Sequence, residues 1–145
     1  MLNIIIDAVS AKIKAELGES FTIYKEPQEQ GFLTPCFFIG LKASAQKKMI
    51  GKRYFLERQF DIEYHPGSVN KNAEIHDMID RLNHILEYVE PEGEVLRGTK
   101  MNCEIKDNIL HFYVNYNSYV YKQTEAEEVM ESAEVNYRLK DDSLG

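Results

Sequence analysis

From Leu110 to Val120 the chain alternates: Leu110, Phe112, Val114, Tyr116, Ser118 and Val120 hold one parity, and His111, Tyr113, Asn115, Asn117, Tyr119 and Tyr121 the other. Successive side chains on a strand point to opposite faces, so this run calls for a sheet with one buried and one wetter face. The segment from Thr99 to Asp107 alternates as well, with Met101, Cys103 and Ile105 expected inward and Asn102, Glu104 and Lys106 outward. Asp107-Asn108 between the two runs is a two-residue turn of the kind hairpins favour.

The same period recurs earlier. Tyr54, Leu56, Phe60, Ile62 and Tyr64 share one parity, interrupted by Arg58, while Glu57, Gln59, Asp61 and Glu63 take the other, where a solvated role is expected. Phe21 to Tyr24 reads as a short strand, and Pro35 to Leu41 as a strand buried on both faces. Two segments carry the helical period instead. Leu2, Ile5, Ile6, Val9, Ile13 and Leu17 form one stripe, stopped by Gly18; Ile75, Met78, Ile79, Leu82, Ile85, Leu86 and Val89 form the other, stopped by Pro91 and Gly93. The order of these segments predicts an α+β fold, a mostly antiparallel sheet with two helices packed on one face, plus a C-terminal extension.

That extension differs in charge. From Gln123 onward seven acids face Arg138 and Lys140, a net of −5, whereas the seventeen acids and fifteen bases before it net only −2. The expected organisation is a domain over 1–122 and an acidic extension over 123–145. Thr124 stands three residues before Glu127, a capping-box spacing that predicts a short helix over 124–133. Val135, Tyr137 and Leu139 then alternate as a short strand with no evident partner in its own domain. A nearly neutral body with an acidic tail is a poor nucleic-acid binder, because neutralising phosphate supplies most non-specific affinity. Tyr113, Tyr119 and Tyr121 are therefore read as packing or protein-interface residues rather than as base-stacking platforms. The opening apolar residues lack a basic flank and meet Asp7 at once, so they are not read as a signal peptide, and a cytoplasmic protein is expected. Cys36 and Cys103 sit in alternating apolar runs and are expected to be buried free thiols.

Chemistry is scarce. His76, Asp80 and His84 stack on one face of the second helix, where two imidazoles and a carboxylate could hold a metal. A helix face alone lacks a further ligand, and a polar stripe is the plainer account. No nucleophile elbow is present, and Gly51-Lys52 is followed by Arg and lacks the upstream glycine of a phosphate loop. The reading is a protein that is not an enzyme and has no catalytic residues, resident metal or cofactor. Between the first two long strands lies a basic loop in which Lys47, Lys48, Lys52 and Arg53 surround Met49 and Ile50. It is expected to be a charged projection that contacts an acidic surface. With Tyr113, Tyr119, Tyr121, Val135, Tyr137 and Leu139, these are the candidate protein-interface residues.

Five segments, in order, resemble one family: Pro35-Cys36-Phe37-Phe38-Ile39, Gly51-Lys52-Arg53-Tyr54-Phe55, Phe60-Asp61-Ile62-Glu63-Tyr64, Arg97-Gly98-Thr99-Lys100-Met101 and Leu110-His111-Phe112-Tyr113-Val114-Asn115-Tyr116. They resemble the phage tail terminators of Gram-positive phages, prophages and phage-like elements, over about Leu2 to Lys122. The resemblance implies a ring of identical subunits, usually a hexamer, that caps the tail tube, stops its polymerisation and presents a docking face to head-completion proteins. Tail tube protein, neck proteins and tail sheath are the implied partners, DNA only passes through the lumen, and assembly takes place in the host cytoplasm. A ring through which DNA passes should repel phosphate, and a net-acidic subunit does. Two other readings stand beside it: a different head–tail joining or non-phage adaptor module, and a metal enzyme using His76, Asp80 and His84.

Overall fold

The computed structural model describes residues 1–122 and the strand Tyr137–Lys140. In chain order the elements are α1 (Leu2–Leu17), β1 (Thr22–Tyr24), β2 (Cys36–Lys48), β3 (Arg53–His65), α2 (Lys71–Ile85), β4 (Tyr88–Val89), a 3-10 turn (Pro91–Gly93), β5 (Leu96–Lys106), β6 (Ile109–Tyr116), β7 (Ser118–Lys122) and β8 (Tyr137–Lys140). The sheet runs β1-β2-β3-β6-β5-β4, with β7 also on β3 and β8 on β7. The β1–β2 pair is parallel and β2 with β3 is antiparallel, as are the pairs that follow. Two helices lie on this mostly antiparallel sheet, the α+β arrangement expected.

Each helix buries the stripe its sequence marks out. Ile5, Val9 and Ile13 of α1 and Ile75, Met78, Leu82 and Ile85 of α2 close on Phe37, Ile39, Phe60, Ile62, Leu110, Phe112 and Val114 of the sheet. Gly18 ends α1 with φ 84°, a left-handed conformation that glycine adopts without a Cβ penalty, and its N–H donates to the Lys14 carbonyl. The start of α2 is fixed by a side chain. The carboxylate of Glu74 accepts the N–H groups of Gly67 and Ser68 at 3.0 and 2.9 Å and the hydroxyl of Tyr64. This clamp turns the chain from β3 into α2, and the hydrogen bonds to Ser68, Tyr64 and Gly67 outweigh desolvation to hold the Glu74 carboxyl below its ordinary range.

Three expectations change. Val89 is not helical: α2 stops at Ile85, and Tyr88 and Val89 pair with Arg97 and Leu96, so Val89 enters the core from a strand. Cys103 and Ile105 lie on the same sheet face as their partners Phe112 and Leu110, as their parity requires, yet both are exposed. The parity was right and the burial was not, because the helical cover does not extend over the far half of this edge strand. Cys36 alone of the two thiols is buried, its thiol pushed up to about 11 by burial and then by Glu63. Leu41 is also exposed, so the run from Pro35 is buried on both faces only over its first part. Asp107 and Asn108 both have positive φ (53° and 61°), the conformation a primed two-residue hairpin turn needs.

Arg58, which interrupts the apolar parity of β3, is buried. Its guanidinium donates to the Tyr116 carbonyl at 3.3 Å and the Ser118 hydroxyl at 3.0 Å, and its backbone N–H donates to Asn117 Oδ1 at 3.1 Å. Here β3 exchanges one partner for another: it pairs with β6 from Gln59 to Tyr64 and with β7 from Arg53 to Leu56. At this break the guanidinium satisfies the Tyr116 carbonyl and the Asn117 side chain satisfies the Arg58 N–H, so both backbone groups are paired.

Candidate functional site

The β2–β3 ladder is longer than the core beneath it. It pairs from Cys36↔His65 to Lys48↔Tyr54, whereas the last fully buried apolar side chain on β3 is Phe60. Beyond Phe60 the two strands overhang the helices, with β7 and then β8 continuing the sheet. The outer edge of β2 carries β1 only over Cys36–Phe38, and from Leu41 to Lys48 every residue is exposed. Lys42, Lys47 and Lys48 lie along that edge, the usual way of blunting an open strand.

At the tip the Met49 N–H donates to the Arg53 carbonyl at 2.9 Å, and Gly51 takes φ 71° to close the turn. Ile50 is 93% exposed and Met49 42%. The four expected bases are less free than the sequence suggested. Lys47 pairs with Glu57 at 2.6 Å, a contact that lowers the Glu57 carboxyl, and Arg53 lies 5.0 Å from the Tyr119 ring. The Lys52 carbonyl accepts the Lys122 N–H, so the end of β7 braces the turn. Lys47 and Lys48 belong to β2 and Arg53 to β3, which narrows the loop proper to 49–52.

The two faces of the overhang differ. On the face continuous with the helices, Leu2, Leu56, Arg58, Pro91 and Val120 line an open, largely apolar groove of about 600 Å³, with Glu92 and Glu94 among its lining residues. On the opposite face Tyr119 packs on Phe55 at 4.9 Å, with Tyr121 exposed two residues on. Tyr113 is different: Lys42 sits 3.7 Å above its ring and Glu104 accepts its hydroxyl at 2.8 Å, so the residue is buried. It offers little surface to a partner, so of the two sequence readings, packing or interface, the packing one fits this side chain in the single subunit. Burial, then Glu104, pushes its hydroxyl up to about 12.

The polar face of β3 and β6 also holds a grouping that sequence reasoning missed. Asp61, Glu63 and His111 place one ligand atom each within 4.8 Å of one another. His111 Nδ1 lies 3.1 Å from Asp61 Oδ2, while Asp61 Oδ1 is buried without a described partner. Desolvation raises the Asp61 carboxyl above its ordinary range, against the His111 contact. These residues are half-buried rather than solvated. Register was the missing signal: Glu63 stands opposite His111, with Asp61 two residues along. His76, Asp80 and His84 are exposed on α2 and are not part of this grouping.

The terminal strand corrects another expectation. Tyr137 to Lys140 pairs with β7 of its own chain, Tyr119↔Lys140 through Lys122↔Tyr137, so it does have a partner within the subunit. Val135 and the helix expected over 124–133 lie outside the described residues.

A family model described as phage tail terminator protein matches residues 4–128, most of the chain and a few residues past Lys122. The chain belongs to the phage tail terminator family. No curated protein sequence matches it at a significant level. Membership accords with a structural, non-catalytic protein of the tail, and it directs attention in this terminator to the surfaces that lie outside the core.

Proposed function

We propose that the chain is a structural tail terminator that assembles with copies of itself into a ring, hexameric as the family resemblance implies. The ring caps the tail tube, ends its polymerisation and presents a docking face to head-completion proteins, with the sheath as a further neighbour in a contractile tail. Assembly takes place in the host cytoplasm, the product is part of the particle at the head–tail junction, and DNA passes through the lumen without being read. The observation that carries this reading, together with the family, is the β2–β3 overhang: two long strands, an exposed Met49-Ile50 tip and basic side chains project past the core that would stabilise a monomer. Rings need a patch on one side of a subunit that fits a different patch on the next, and a projecting hairpin supplies one half.

The division into a domain over 1–122 and an extension over 123–145 belongs to the same proposal. The β7–β8 register formed within one chain can equally form between neighbours, exchanging the arm without changing its backbone hydrogen bonds. Light scattering coupled to size exclusion, with and without tube protein, tests the reading. A ring-sized particle, alone or on adding tube protein, is expected, and truncation after Lys122 should weaken it while leaving the monomer's melting transition nearly intact. A strict monomer indifferent to tube protein would overturn the terminator reading in favour of an adaptor.

A further inference from the structure

We infer that the groove beneath the overhang is the receptor for the Met49-Ile50 tip of a second copy of this chain. The inference rests on the ring reading and names the two surfaces that would meet.

The tip's chemistry asks for such a receptor. Ile50 and Met49 are apolar and exposed, and Lys48 and Lys52 flank them. An exposed apolar pair set in bases fits a pocket that is apolar within and acidic at its mouth. The groove offers both elements in a mixed lining: Leu2, Leu56, Pro91 and Val120 supply apolar wall, Ser44, Gln46 and Arg58 polar wall, with the guanidinium engaged by Tyr116 and Ser118, and Glu92 and Glu94 are its exposed acids. The acids stand on a stiff support. Pro91–Gly93 is a 3-10 turn closed by the Glu94 N–H on the Pro91 carbonyl at 3.1 Å, and Glu92 holds a left-handed φ of 51° that non-glycine residues seldom adopt.

The tip cannot fill its own groove. Leu56 of the groove pairs with Gln46, and the ladder runs on to Lys48↔Tyr54 before the turn at 49–52, which carries the tip about 10 Å beyond Leu56 at strand rise. The same hairpin therefore carries a knob at its end and a socket nearer its base, and the knob must enter the socket of another copy. That contact is head-to-tail, the class that closes into rings when the rotation allows. The groove's volume of about 600 Å³ leaves room for both side chains.

A photo-reactive amino acid at position 94 of the full-length protein identifies the occupant. A mixture of isotopically light and heavy copies is irradiated, and the cross-linked peptides are read by mass spectrometry. The expected product joins position 94 of one copy to residues 47–53 of another, in mixed light–heavy pairs. Glu92→Lys with Glu94→Lys should weaken self-association at least tenfold, and Lys48→Glu with Lys52→Glu in the same chain should restore it, with circular dichroism melts unchanged. Cross-links to residues 123–145, or only within one copy, would overturn the inference. So would a ring that forms normally with no link to 47–53, and that result would leave the ring reading intact. Open multimers carrying the 94-to-tip link would support the contact and overturn the closed ring, and a monomer at all concentrations, with tube protein as well as without it, would overturn both.

Discussion

The hydroxyl of Tyr116 donates a hydrogen bond of 2.6 Å to the backbone carbonyl of Leu86, fastening β6 to the residue that caps α2. Gly98 lies under the same carbonyl: a Cβ there would meet Leu86 O at 2.7 Å and Val114 Cγ2 at 2.8 Å. Tyr116→Phe leaves a buried acceptor unpaired and is expected to cost about 1–3 kcal/mol. Gly98→Ala pushes on backbone that cannot yield locally and should cost about as much. Because both act on one carbonyl, the double variant should depart from additivity in denaturant titration. Simple addition would mean that the two sites are independent.

Leu82 is fully buried at the centre of the α2 stripe. Leu82→Ala should lower stability by about 2–5 kcal/mol through lost transfer energy and the cavity left behind. A loss within about 0.5 kcal/mol, the scale of surface changes, would contradict the helix phase.

Glu74 has a carboxyl held low in the folded chain. A depressed folded pKa means stability that is present above the unfolded value of 4.5 and lost as pH falls through the folded value. Glu74→Gln should therefore melt lower at neutral pH, by on the order of 1 kcal/mol after allowing for solvent screening. The gap should close in acid. A gap that persists once the carboxyl is protonated in the folded chain would show that shape, not charge, makes the clamp.

Asp61 has the opposite sign. Burial raises its folded pKa, so its charge opposes folding above that pKa and the penalty is relieved as pH falls through it. Asp61→Asn should equal or exceed the wild type in melting temperature at pH 8, the advantage shrinking in acid. If the substitution instead destabilises, and zinc raises the wild-type melting temperature alone, the Asp61–Glu63–His111 grouping holds a cation.

What the sequence disclosed was governed by period. The stripes of α1 and α2 and the alternation of β3 and β6 are local patterns, and each turns the residues it marks toward the core, fully at its centre and partly at ends such as Leu2, Leu17, Tyr54 and Leu56; Val89 is buried too, but from a strand. Burial at Cys103 and Ile105 was not legible, because their parity says which face they share and nothing about how far the helices reach. Arg58 announced itself only as an interruption; its purpose depends on Asn117 and Ser118, some sixty residues away. The basic tip was visible as composition, but the groove draws on α1, β2, β3, the 3-10 turn and β7, a gathering no local pattern contains.

The overhang has a consequence for how this protein can change over time. Between Leu41 and Leu56 the strands lie past the core, so folding places few demands on side-chain identity there beyond keeping the ladder extended and the turn at Gly51. Left to folding alone, that stretch would drift among related chains far faster than Phe60 or Phe112. Wherever its residues are instead held fixed across a lineage, or vary in step with positions such as 92 and 94, the restraint must come from outside the single subunit. The rate of drift along one hairpin thus separates what the monomer needs from what its neighbours impose.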